Sequence, residues 1–129
     1  MEQSLTSDDF FTGLFSALAL KGHSTISLRL ERFDSAVAKV FEALRGAAAE
    51  RKIALRFRVR LHPVHGDSPT IRDSITNAAQ RDLISLDNPE YQDIRLKIAD
   101  EDARVYLKGL PGGQDLFDKL ADEFLQQYV

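Results

Sequence analysis

Between Ile53 and Leu61 the chain alternates strictly, with Ile53, Leu55, Phe57, Val59 and Leu61 on one side and Ala54, Arg56, Arg58 and Arg60 on the other. No other stretch restricts the fold as much. A period of two sends successive side chains to opposite faces of a strand, and three unpaired arginines on one face are costly to bury. The segment predicts a half-buried strand with Phe57 and Val59 in the core and a wet, basic outer face. A sheet with one apolar face takes helices on that face alone, so the expectation is a two-layer α+β fold.

The flanking segments supply those helices. Phe10, Phe11, Leu14, Phe15 and Leu18 recur at helical spacing after the acidic start Ser7-Asp8-Asp9, giving a first helix that ends near Gly22. Ile26, Leu28 and Leu30 alternate with Ser27, Arg29 and Glu31 as a strand, and Asp34 suits the N-cap of a second helix. That helix carries Val37, Val40, Phe41, Leu44 and Ala48, with Arg51 and Lys52 at its C-terminal end. After the long strand, Pro63 and Gly66 break the pattern, and Ser68 or Thr70 caps a third helix bearing Ile71, Ile75, Ala78, Ala79 and Leu83. Asn88-Pro89 marks a turn. Ile94, Leu96 and Ile98, then Val105 and Leu107, read as a hairpin around the acidic turn Asp100-Glu101-Asp102. Pro111-Gly112-Gly113 then leads into a last helix with Leu116, Phe117, Leu120, Ala121, Phe124 and Leu125.

The expected order is α-β-α-β-α-β-β-α. Its two crossovers favour parallel pairing and its hairpin requires antiparallel pairing, so the four-stranded sheet is mixed. Without the first helix this order resembles that of thioredoxin-like folds in topology, Pro89 included. The likeness ends there, because no Cys-x-x-Cys is present and the doubly buried central strands of that fold would have to bury Arg56, Arg58 and Arg60.

A chain of 129 residues, 43% hydrophobic and 29% charged, has the size and composition of one ordinary domain, here residues 1–129. Four strands about 4.8 Å apart make a sheet roughly 19 Å wide, which two helices cover. Residues 1–22 are therefore expected at the periphery or at an oligomer interface, where Phe11 and Phe15 meet a second subunit in a homodimer. The absence of cysteine excludes disulfides, thiolate catalysis and cysteine-ligated metal sites, and suits a reducing compartment. Leu14 to Leu20 is broken by Ser16 and preceded by Asp8 and Asp9, which is neither a signal peptide nor a membrane span. The expected location is the cytoplasm.

Candidate chemistry is sparse. His62, His65 and Asp67, with His23 as a third imidazole, offer metal ligands or an acid–base pair at the end of the long strand, the basis for a small metal-dependent hydrolase. Two histidines three residues apart around a proline match no zinc spacing, and an exposed loop accounts for them better. Gly109 to Gly113 precedes a helix without the lysine or glycine spacing of a phosphate loop, and Asp100-Glu101-Asp102 lacks the ligand pattern of a calcium loop. No cofactor follows from these motifs.

Charge is the one polarised property. On the outer face of the four strands stand Arg29, Arg56, Arg58, Arg60, Arg95, Lys97, Arg104 and Lys108 against the single acid Glu31, with Tyr106 among them, in a chain of net charge −3. Solvated basic strands explain such a face, and so does a nucleic acid, another anionic ligand or an acidic protein surface. With no catalytic constellation to build on, the sequence favours a non-catalytic binding or adaptor domain acting through protein contacts, ahead of polyanion binding and of the hydrolase.

Overall fold

The computed structural model of the chain describes residues 3–23, 25–27, 32–57, 69–85 and 93–128. Along them run β1 (Gln3–Leu5), α1 (Ser7–Leu20), β2 (Thr25–Ser27), α2 (Arg32–Arg51), β3 (Ile53–Leu55), α3 (Pro69–Gln80), β4 (Ile84–Ser85), β5 (Asp93–Leu96), α4 (Asp100–Gly109) and α5 (Gly113–Tyr128). The class is α+β, with helices and short strands mixed along the chain.

The strands form two sheets among the described residues, which corrects the expected single sheet of four. β1 lies parallel to β3 with Ser4 opposite Ala54, and the Arg56 amide extends this ladder by donating to the Leu5 carbonyl at 2.9 Å. β5 lies between β2 and β4, antiparallel to both, in the order β2-β5-β4. The side chains of Ile26, Ile84 and Ile94 are buried, whereas Thr25 and Arg95, opposite each other in the register, are exposed. This sheet thus has the one-sided alternation that the sequence displays. The long alternating segment enters the described structure as β3, Arg56 and Phe57. Phe57 is half-buried against Phe10 and Phe41, with ring centroids 5.5 and 5.1 Å away, while Val59 and Leu61 lie outside the described residues.

The largest departure is the position of α1. Every residue from Phe10 to Leu18 is buried, so the helix has no wet face over that length, and it packs against α3, α4 and α5. A helix buried on all sides lies in the middle of a core. It is neither peripheral nor free to pair with a second copy, because Phe11 and Phe15 are enclosed by their own chain. The packing argument for a homodimer through this helix is thereby removed. Its entry is fixed by a capping box, in which the Asp9 amide donates to Thr6 Oγ1 at 3.1 Å and the Thr6 amide to Asp9 Oδ2 at 3.2 Å. Gly13 faces the Phe117 ring so closely that a Cβ would overlap it, and this brings α1 and α5 together. On the α3 side, Asn77 Nδ2 donates to Asp8 at 3.3 Å and Arg81 to Thr12 Oγ1 at 3.1 Å, so polar groups at the rim join the two helices.

Helix boundaries shift for local reasons. α2 begins at Arg32, before the expected cap at Asp34, and takes Phe33 into the core edge-to-face with Phe124 at 5.7 Å. α3 opens on Pro69, a favourable first-turn residue, and ends at Gln80. Asp82 takes the left-handed conformation (φ 62) beyond it. The Leu83 amide reaches back to the Ala78 carbonyl at 3.0 Å and that of Asp82 to Ala79 at 3.1 Å, the paired bonds of a Schellman stop. Leu83 therefore leads into β4 and is not part of the third helix.

Candidate functional site

The expected hairpin from Ile94 to Leu107 is replaced by β5 followed by α4. Asp100, Glu101 and Asp102 are the first turn of this helix, where carboxylates complement the exposed amide groups, and Lys108 stands in its last turn. The Ala103 amide closes the first turn onto the Ala99 carbonyl at 2.8 Å. Ala103 and Leu107, four residues apart, are fully buried, with Tyr106 and Leu110 half-buried beside them. They form the inner stripe of an amphipathic helix that packs on α1 and α5.

Spacing of three and four residues puts Glu101, Arg104, Val105 and Lys108 together on the opposite side, and all are exposed. Val105 is 69% exposed, the single exposed large apolar side chain among the described residues. Its outward position separates it from Leu107, with which it was expected to share the face of a strand. The outer surface of α4 therefore carries an apolar centre framed by two cations and a carboxylate.

The residues of the expected basic face fall in different places. Arg56 is exposed just beyond β3, and Arg95 is exposed in the middle of β5 opposite Thr25 and Ser85. Lys97 follows β5, with its amide donating to the Leu83 carbonyl at 3.0 Å and its ammonium 3.9 Å from Asp82 Oδ1. Arg104, Tyr106 and Lys108 belong to α4, with Tyr106 turned toward the core side, so they are not strand residues. Arg29, Arg58 and Arg60 lie outside the described residues, as do His62, His65 and Asp67. His23 is exposed after α1, where its amide donates to the Leu18 carbonyl at 3.1 Å. Among the described residues no three His, Asp or Glu side chains are grouped to hold a metal ion, and no helix is long and apolar enough to cross a membrane.

Phe33 precedes Asp34 and so falls in none of the expected stripes, and Glu101 falls in the expected acidic turn. The spacing of Ala103, Leu107 and Leu110 behind three acids is the signal that identifies α4. No protein-family model matches the chain, and neither a curated protein nor a solved structure does.

Proposed function

We propose that the protein is a non-catalytic binding domain that works through protein contacts, with the outer face of α4 as its contact surface. Val105 carries this reading. A lone surface valine is ordinary, but this one sits between Arg104 and Lys108 with Glu101 on the same stripe, and the other large apolar side chains of the described residues are buried or half-buried. An apolar anchor inside a polar rim is the common anatomy of protein interfaces, and arginine is enriched among their strongest contributors.

The test is capture of partners from the source cell by three baits: the wild-type chain, Val105→Glu, and Lys119→Glu as an exposed control on α5. Proteins held by the wild type and the control but lost with Val105→Glu support the proposal. Equal retention by all three overturns it. Salt-sensitive retention on heparin that falls with Arg104→Glu or Lys108→Glu and ignores Val105→Ser also overturns it, in favour of an anionic ligand.

A further inference from the structure

We infer that the occupant of the α4 surface is a second copy of the same chain, docked through antiparallel α4 helices. The inference rests on the proposed role of this face and commits it to one partner. The argument is charge order along the exposed stripe, which runs Glu101, Arg104, Val105, Lys108 from the N-terminal to the C-terminal end of the helix. A two-fold axis passing near the peptide between Arg104 and Val105 reverses this order in the second copy. It sets Glu101 of each chain against Lys108 of the other, and on the flanks of the contact it brings Val105 against Val105 and Arg104 beside Arg104, whose long side chains reach out into solvent. The Glu101 and Lys108 ends of the stripe are thus complementary to their own reverse, which a parallel arrangement would not achieve because Glu101 would then meet Glu101 and Lys108 meet Lys108. Antiparallel packing also sets the acidic first turn, Asp100 to Asp102, beside the basic half of its neighbour and opposes the two helix dipoles.

Size sets the strength. A helix of ten residues is roughly 15 Å long, and one such face falls well short of the roughly 800 Å² per partner of a standard interface. The association is therefore weak and concentration-dependent, with a dissociation constant on the order of 0.1–1 mM.

Sedimentation equilibrium up to about 1 mM chain tests this. The wild type is expected to rise in average mass above the 14.5 kDa monomer as concentration increases. Glu101→Lys alone or Lys108→Glu alone places like charges at both contacts and weakens association about tenfold. An equimolar mixture of the two variants restores opposite charges at both contacts and regains wild-type association. Circular dichroism of each variant checks that α4 remains folded, and the mixture contains only those same chains, so its recovery cannot come from refolding. A wild type that stays monomeric throughout, single variants that associate as the wild type does, or a mixture that fails to recover each overturn the inference. If the chain is monomeric while Val105→Glu still loses its captured partners, the occupant is a different protein and the proposed function stands. If Val105→Glu loses nothing, the proposed function itself fails.

Discussion

α1 and α4 touch each other in the core, yet they put their apolar residues to opposite uses. α1 is buried on all sides from Phe10 to Leu18 and has no surface left for a partner. α4 spends Ala103 and Leu107 on the core and keeps Val105 in water beside Arg104 and Lys108. Hydrophobicity alone would single out α1 as a contact surface, yet the richest stripe in the sequence is the one that the fold absorbs. The side chain left outside after the core is complete is the informative one.

The sharpest way to break this contrast is to truncate α1. Phe15→Ala removes a fully buried ring and is expected to cost about 3–5 kcal/mol of unfolding free energy. Denaturant titration measures it, and a loss below about 1 kcal/mol means that α1 is peripheral after all.

The next largest effect separates the two sides of α4. Leu107→Ala is expected to cost about 2–4 kcal/mol, whereas Val105→Ala stays within about 0.5 kcal/mol. Residues two apart on one face of a strand would lose comparable amounts, so similar values would restore the hairpin.

A smaller loss is expected at the α1–α5 crossing. Gly13→Ala gains up to about 1 kcal/mol in helix propensity but drives a methyl into the Phe117 ring, for a net loss of about 1–2 kcal/mol. Pairing it with Phe117→Leu should recover part of that loss, because the smaller side chain leaves room for the methyl.

The smallest change has the opposite sign. Ser16 is fully buried in α1, and its hydroxyl has no hydrogen-bond partner among the described residues. Ser16→Ala removes that unsatisfied group at little change in volume and should stabilise the fold by about 0.5–1 kcal/mol. Destabilisation by a similar amount would show that the hydroxyl is bonded in solution.

What the sequence made legible follows from how many residues carry each pattern. Five apolar positions over nine residues identify α1, and the stripes of α2, α3 and α5 are as long, so these helices could be read directly. Val105 and Leu107 are only two residues, and two points fit a period of two while Ala103 and Leu110 fit the helical one. β1 and β4 span three and two residues, too few to display any period. The place of α1 was lost for a different reason. Stripe counting treats each helix as one-sided, whereas Ala17, Gly13 and Ser16 complete the circumference of α1 with residues too small or too polar to register as apolar signal. Of the nine expected site residues, Arg104 and Lys108 enter the proposed surface, while Arg56, Arg95 and Lys97 lie elsewhere because α4 is not a strand of their sheets.

The absence of cysteine from the chain permits a direct measurement of the α4 surface. Single cysteines placed in turn from Asp100 to Gly109 can be labelled with a small thiol reagent, and their rates compared with those of the unfolded chain. The account predicts fast labelling for Glu101→Cys, Arg104→Cys, Val105→Cys and Lys108→Cys, and slow labelling for Ala103→Cys and Leu107→Cys, a period near 3.6. Slow labelling at both Val105→Cys and Leu107→Cys, alternating with fast labelling at Arg104→Cys and Tyr106→Cys, would contradict it and return these residues to a strand.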